Sequence, residues 1–273
     1  MLTPEQKNFY QTFGFLIFRQ CFSPSEMARI TREFEEVLQE NLPEDKPFAG
    51  DRRHSVLGCI ERRPTLAGLV EDDRIYGVLR DLLGPEFVWI TSDGNYYVGD
   101  TSWHPDMKRW NPAYAVTAGY RVVKIAFYLN PVHKETGCLR VIPGSHRDPL
   151  HSALEPMMAH RKIPPVHPFG VTGPEVPCYP LESEPGDVVL LNQGLWHAAF
   201  GGSNRRRMFT LNFAEKAVEP AHVALHHHLY QSHLQQQQNH PLGPRGVFLP
   251  EFLSGGGPRR REMVKQIVEW GFV

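Results

Sequence analysis

The spacing of apolar residues divides the chain into a helical first part, a strand-rich middle and a mixed tail. In the first part, apolar side chains recur every three or four residues, and Ser or Thr followed by Pro marks two helix starts. From residue 86 onward, short apolar runs alternate with turn residues, which is typical of strands. The predicted helices are residues 3–14, 23–38 and 66–83, with a strand at Phe15–Phe18 and a loop at 41–62; the predicted later strands are Phe87–Ile90, Asn95–Val98, Val122–Asn130, Cys138–Ile142, Val188–Asn192, Trp196–Phe200 and Met208–Phe213.

Helices followed by about eight short strands indicate a mainly β fold with flanking helices. We therefore expect a β-sandwich or barrel whose N-terminal helices pack outside it. The domain prediction is one domain over residues 1–273, with a helical part at 1–85, a β core at 86–215 and a C-terminal extension at 216–273. Residues 148–180 contain several prolines and are expected to form a long covering loop.

The extension has a biased composition. His226-His227-His228 and Gln235–Gln238 form this biased segment, and the histidine run is interpreted as a surface tract with no catalytic role. Residues 259–270 have amphipathic helical spacing, so this segment is expected to cap the fold or to contact a partner subunit.

Composition and charge exclude several classes of protein. Hydrophobic content of 41% and charged content of 22% are ordinary for a globular protein, and a net charge of −1 gives no general attraction to nucleic acid or to an anionic membrane. The N-terminus has no basic region followed by an apolar run, and no apolar stretch approaches 18 residues. The four cysteines form no C-x-x-C motif, so we expect reduced thiols and a cytoplasmic location.

The candidate chemistry begins with His104-Pro105-Asp106, followed 91 residues later by His197. If His104 and Asp106 lie on a strand, alternation points both side chains to the same face. Two histidines and one carboxylate on one face of a metal leave other coordination positions open, which is the ligand set of non-haem iron(II) oxygenases. Two similar motifs, at residues 133–135 and 146–148, lie beside predicted turns and are interpreted as loop residues.

An arginine run follows the second histidine. Arg205-Arg206-Arg207 leads into the alternating strand Met208–Phe213, and Arg206 shares parity with Met208 and Thr210. A guanidinium that points inward needs a carboxylate partner, since burying it unpaired is costly. Arg206 is therefore the predicted anchor for the far carboxylate of a keto acid, and Arg207 is the next candidate.

These features resemble the phytanoyl-CoA dioxygenase family of iron(II)/2-oxoglutarate oxygenases over roughly residues 1–215. The resemblance implies a double-stranded β-helix (jelly-roll, cupin-like) core, Fe(II) held by His104, Asp106 and His197, and 2-oxoglutarate held by Arg206. Nothing matches a CoA-binding signature, so the family name does not identify the substrate. The resemblance is carried by Leu2–Gln6 through Phe13–Leu16, by His104-Pro105-Asp106, by Thr136–His146, which includes Pro143-Gly144-Ser145-His146, and by Pro185–Val189 through His197 to Arg206.

Further candidates surround this set. The residue between His104 and Asp106, often glutamine in the family, is Pro105, which must occupy an edge or bulge because it lacks an N–H. Lys124 and Tyr128 share strand parity and are predicted to line the pocket, although Lys124 exposed and Tyr128 in the core is an equal alternative. The predicted 2-oxoglutarate contacts are Arg206, Lys124, Tyr128 and Thr136; the predicted substrate contacts are Trp103, Arg109, Trp110 and Arg121, for which core packing and surface charge are alternatives.

The predicted function is an Fe(II)/2-oxoglutarate-dependent dioxygenase that hydroxylates a small organic substrate with O₂ and releases succinate and CO₂. The expected partners are that small molecule and O₂, with no nucleic acid and no membrane. One alternative is a cupin-like metal enzyme that does not use 2-oxoglutarate, and another is a catalytically silent relative that acts as a binding protein. A zinc hydrolase is disfavoured because no general-base carboxylate stands beside the ligands.

Overall fold

A computed structural model describes residues 1–44, 48–107, 119–159, 169–202 and 206–272. The strands within these ranges are β1 Phe15–Phe18, β2 His54–Leu57, β3 Val88–Tyr97, β4 Thr101–His104, β5 Val122–Tyr128, β6 Leu139–Val141, β7 Tyr179–Leu181, β8 Val188–Asn192, β9 His197–Ala199 and β10 Arg206–Ala214. The α-helices are α1 Pro4–Phe13, α2 Pro24–Glu40, α3 Pro64–Gly68, α4 Asp73–Leu83, α5 Leu150–Ala153, α6 Pro156–Ala159, α7 Pro220–Gln238, α8 Pro250–Ser254 and α9 Pro258–Glu269.

The strands form two antiparallel sheets that pack face to face as a jelly-roll core. The larger sheet has the order β1-β8-β5-β10-β3-β2, and the smaller has the order β4-β9-β6-β7. One apolar cluster contains side chains of both sheets, among them Ala126 and Val189 from the larger sheet and Val141 and Leu181 from the smaller. The predicted β-sandwich with flanking helices is confirmed.

Alternation along the central strands separates the helix-packed face from the interior. On β5, Val123, Ile125 and Phe127 join the core cluster that contains the helices, whereas Lys124 and Tyr128 face the cavity between the sheets. This period of two explains how one strand both anchors the helical layer and supplies polar groups to the interior.

Two helix starts lie where the sequence predicts them. Thr3 and Ser23 each accept a hydrogen bond from the backbone three residues later, and the side chains of Gln6 and Glu26 return the contact to the cap backbone. These capping boxes satisfy backbone N–H groups that the helix leaves without partners. Gly14 ends the first helix with φ of 85°.

Several boundaries differ from the sequence prediction. The two strands predicted over residues 87–98 are one strand, β3, because the polar residues between them pair with β10, and Thr91 and Asp93 face the cavity. The predicted loop at 41–62 contains β2, which pairs with β3. The helix predicted at 66–83 breaks at Asp72, whose side chain caps α4. The covering loop predicted at 148–180 contains the short helices α5 and α6, and it ends in β7.

The C-terminal extension is more ordered than its composition indicates. His226 lies within α7 and is buried, with Nε2 2.8 Å from the hydroxyl of Tyr120, so the surface interpretation was wrong for this residue. His227 and His228 are exposed, as predicted. The predicted terminal helix is confirmed as α9, which buries Met263 and Ile267. In the described ranges, every helix is too short or too polar to cross a bilayer.

Candidate metal and cosubstrate site

Cross-strand pairing brings the two distant histidines together. His104, the last residue of β4, lies directly opposite His197, the first residue of β9. The Nε2 atoms of His104 and His197 lie 3.6 and 3.7 Å from Oδ1 of Asp106. Ligand atoms that share one ion at about 2.1 Å are roughly 3 to 4 Å apart. In the part of the chain that the structure describes, this is the one grouping of three His, Cys, Asp or Glu side chains close enough to hold a metal.

Hydrogen bonds fix which ring nitrogen of each histidine faces the cavity. Nδ1 of His104 lies 2.7 Å from the carbonyl of Ser102, and Nδ1 of His197 lies 2.8 Å from the carbonyl of Leu195. Because a carbonyl can only accept, each Nδ1 carries the proton and each Nε2 offers a lone pair. Burial lowers the pKa of His197 to about 3, so this imidazole is neutral and able to coordinate a cation at neutral pH.

Asp106 lies just beyond the end of its strand. His104 and Asp106 do not share a strand, because β4 ends at His104 and Pro105 has no N–H for the ladder. β4 is also an edge strand, as Pro105 predicted. Burial by itself would raise the pKa of Asp106, yet the ammonium of Lys124, bonded to Oδ2, contributes to holding it well below its usual value. Asp106 is therefore an anion with Oδ1 directed toward the two imidazoles.

The segment Pro143–His146 holds the backbone next to His197 in place. The hydroxyl of Ser145, fully buried, accepts a hydrogen bond of 2.9 Å from the backbone N–H of Trp196, the residue before His197. The N–H of Ile142 donates to the carbonyl of Trp196 at 3.0 Å. His146 packs against Gly14, where an added Cβ would lie 2.6 Å from its Nδ1. This segment fixes the backbone that presents His197.

Arg206 supplies a buried cation to the same cavity. It is 3% exposed, and in the described structure its Nε and Nη1 have no hydrogen-bond partner. Its guanidinium stacks 4.7 Å from the ring centre of Tyr97. The backbone approaches closely at Gly137 and Gly202, where added Cβ atoms would lie 1.8 and 2.7 Å from Nη1. A buried guanidinium with unmatched donors fits a carboxylate ligand, as 2-oxoglutarate would provide.

Arg207 faces the other side of its strand. Its Nη1 lies 2.7 Å from a carboxylate oxygen of Glu35, and its Nε donates to the side chain of Asn130 at 3.1 Å. It has its own anionic partner outside the cavity. Of the two arginines that the sequence left as candidates, the structure places Arg206 at the site.

The cavity has a volume of about 370 Å³, lies between the two sheets and is partly open to solvent. Of the predicted cosubstrate contacts, Lys124 and Tyr128 line it, whereas Thr136 is exposed and bonds the backbone of His133. Thr136 is next to Gly137, the residue that does touch Arg206.

The two predicted substrate residues that fall in the described ranges, Trp103 and Arg121, do not line this cavity. Trp103 is fully buried in an apolar cluster on the outer face of the smaller sheet, and its Nε1 donates to the carbonyl of Gly173. Arg121 pairs with Glu215 at 2.5 Å and is half exposed. Arg109 and Trp110 lie outside the described residues.

The cavity is also lined by residues that sequence reasoning missed. Arg53 and Ser55 come from the β2 region, Asp93 and Asn95 from β3, and His233 from α7, with further lining by Leu229 and Gln236 of α7. The alternation of Thr91, Asp93 and Asn95 along one strand was a usable signal. No sequence signal linked α7 to the site, because its cavity-lining residues lie 23 or more positions after Arg206, the nearest predicted contact.

A family model for phytanoyl-CoA dioxygenase (PhyH) matches residues 10–209. The chain belongs to this family. It is 28% identical over 152 residues to an ectoine dioxygenase of Nocardia farcinica, covering 52% of this chain and 51% of the relative. It is 22% identical over 235 residues to a probable phytanoyl-CoA dioxygenase of Caenorhabditis elegans, covering 77% and 73%. The chain thus spans about half the length of the ectoine dioxygenase.

Solved structures of other proteins share the fold. The iron-bound crystal structure of EctD from S. alaskensis has a TM-score of 0.59 and 23% identity, with 78% of this chain and 77% of that chain covered. HygX from Streptomyces hygroscopicus with nickel and 2-oxoglutarate has a TM-score of 0.61 and 19% identity, with 79% and 88% covered. The jelly-roll expectation is confirmed by these likenesses.

Proposed function

We propose that this protein is an Fe(II)/2-oxoglutarate-dependent dioxygenase that hydroxylates a small organic substrate. The observation that carries the proposal is the shared cavity. A neutral His, a carboxylate and a second His meet at one point, and the same space holds the guanidinium of Arg206, whose Nε and Nη1 have no hydrogen-bond partner in the described structure. A metal site alone would fit many enzymes. The buried guanidinium of Arg206 in the same cavity, however, fits a cosubstrate with two carboxylates, one for the metal and one for the arginine.

Each residue has a distinct task in this proposal. His104, Asp106 and His197 hold Fe(II), and Arg206 binds the distal carboxylate of 2-oxoglutarate. Lys124 orients Asp106 by binding its Oδ2, which leaves Oδ1 for the metal. When bound, iron and 2-oxoglutarate supply the oxidising chemistry, in which one oxygen atom of O₂ enters the substrate and the other enters succinate as CO₂ leaves.

The relatives support the cosubstrate assignment. The HygX structure contains nickel and 2-oxoglutarate, and one EctD structure contains 2-oxoglutarate and 5-hydroxyectoine. The cupin-like alternative without a keto acid would leave Arg206 buried and unmatched. The intact metal ligand set disfavours a catalytically silent binding protein. A cytoplasmic location is also proposed, since the four cysteines are free thiols.

The test is 2-oxoglutarate binding and turnover by the purified protein. We expect anaerobic calorimetry with Ni(II), a redox-inert substitute for Fe(II), to show binding of one 2-oxoglutarate that is lost in Arg206→Gln. Arg207→Gln is the matched control and should bind normally, because Arg207 pairs with Glu35 outside the cavity. Equal binding by both variants would contradict the proposal, as would the absence of any 2-oxoglutarate-dependent succinate with Fe(II) and O₂.

A further inference from the structure

A second guanidinium, that of Arg53, lines the same cavity as Arg206. Arg53 and Arg206 both stack on the ring of Tyr97, with Cζ atoms 4.6 and 4.7 Å from its centre. We propose that Arg53 binds an anionic group of the substrate, a carboxylate or a phosphate, while Arg206 holds the cosubstrate. This inference rests on the proposed function and names the class of substrate.

The contacts of Arg53 orient it without using all of its donors. Its Nε donates to Oδ1 of Asn95 at 2.6 Å, and its Nη2 lies 3.4 Å from Oδ1 of Asp93, a long and weak contact. Nη1 has no hydrogen-bond partner among the residues that the structure describes. The side chain is 40% exposed and lines the cavity, so the guanidinium is positioned and still accessible to a ligand.

Asp93 does not offer an equivalent site for a cation. Its carboxylate already accepts hydrogen bonds from the hydroxyl of Thr210 and the amide of Asn95 in addition to the contact with Arg53. Three donors from the protein therefore surround it. Its role is to hold the neighbouring side chains in place, including the guanidinium proposed to meet the substrate.

The charges that line the cavity favour an anion. Among the described lining residues, three cationic side chains, those of Arg53, Lys124 and Arg206, face two carboxylates, those of Asp93 and Asp106. Burial lowers the pKa of His233 to about 4, so this residue adds no charge at neutral pH. The two positive charges of a divalent metal and the two negative charges of 2-oxoglutarate cancel. One positive charge is left uncompensated, which a substrate monoanion would match.

The size of the cavity and its α7 wall restrict the rest of the substrate. About 370 Å³ is near the lower end of the roughly 300–1,000 Å³ typical of small-molecule sites, and 2-oxoglutarate must share it. Leu229, His233 and Gln236 close one side from α7, beyond the residues 10–209 that the family model matches. A small acid fits this space better than a long acyl chain does.

The test measures binding of acids against their neutral amides. The protein is loaded with Ni(II) and saturating 2-oxoglutarate, and calorimetry follows the binding of short carboxylic acids, the matching phosphonic acids and the primary amides of the carboxylic acids. We expect at least one acid to bind the wild type about 10-fold or more tightly than its amide. Arg53→Gln should remove this preference, and Arg53→Lys should keep part of it. The carboxylate and phosphonate arms show which anion is preferred.

Arg52→Gln is the matched control, because Arg52 is the exposed neighbour outside the cavity lining and its loss should leave the preference unchanged. Thermal unfolding of each variant without ligand excludes misfolding. Equal binding of acids and amides, or no binding of either at tens of millimolar, overturns the inference, and so does a preference that survives in Arg53→Gln. If 2-oxoglutarate itself gives no binding heat before any acid is added, the proposed function fails as well, and the two failures are thereby distinguished.

Discussion

Replacing Gly137 with alanine tests how closely the backbone confines the guanidinium of Arg206. Gly137 has φ of +89°, and an added Cβ would lie 1.8 Å from Nη1 and 3.0 Å from Cζ of Arg206, and 2.7 Å from Cα of Gly202. The backbone of Gly202 cannot withdraw easily, so the arginine must move. Ordinary contact requires about 3.5 Å, so Nη1 must retreat by roughly 1.5 Å or more.

A shift of that size breaks the proposed contact with the distal carboxylate of 2-oxoglutarate. A hydrogen bond to a charged group contributes about 1.5–3 kcal/mol, which corresponds to roughly a 10- to 100-fold weaker binding of 2-oxoglutarate. The positive φ adds a cost to folding of about 1 kcal/mol for a residue with a side chain. Metal affinity should change little, because the atoms nearest the added Cβ belong to Arg206 and Gly202 and not to a metal ligand.

The assay is anaerobic calorimetry of 2-oxoglutarate binding to the Ni(II)-loaded protein, with thermal unfolding measured in parallel. Gly99→Ala is the control, since Gly99 also has a positive φ, +73°, but no atom lies within 4 Å of the added Cβ. It should lose stability and keep its 2-oxoglutarate affinity. The reasoning is refuted if Gly137→Ala binds 2-oxoglutarate as tightly as the wild type, or if both variants lose affinity equally.

Three further changes probe the supports of the site and the core. Ser145→Ala removes the acceptor of the Trp196 N–H and should cost about 1–3 kcal/mol of unfolding free energy and weaken Ni(II) binding by calorimetry; unchanged metal affinity would contradict the support role. Lys124→Met leaves Asp106 unpaired, so the metal-free protein should lose about 3 kcal/mol in denaturant unfolding, and added Ni(II) should raise its Tm more than that of the wild type. Burial raises the pKa of the Glu61 carboxyl from 4.5 to about 7. Between these two pH values the folded state keeps a proton that the unfolded state has lost, so the free energy of unfolding should fall as the pH rises from 4.5 to about 7. The stability advantage of wild type over Glu61→Gln should therefore decrease by about 3 kcal/mol between pH 4 and pH 8, and a constant difference would refute the burial argument.

Some features of the fold could be predicted from the sequence because the interactions that produce them are local. Thr3 and Ser23 mark helix starts through hydrogen bonds that span three residues. Strand alternation placed Arg206 in the interior with Met208 and Thr210, and the structure has all three in the cavity lining. The same alternation argues against Trp103 as a substrate contact, since it must point away from the face that carries His104.

Other features depended on which segments meet. The sequence by itself determined the fold class, the family and the residue types of a metal site, because periodicity, caps and motifs are written in neighbouring positions. Only the tertiary structure decided that Arg53, Asp93 and His233 share a cavity with Arg206, and that Arg207 pairs elsewhere. The physical reason is that antiparallel pairing and the docking of α7 join residues that are far apart in the chain, and neither register nor docking can be read from local propensity.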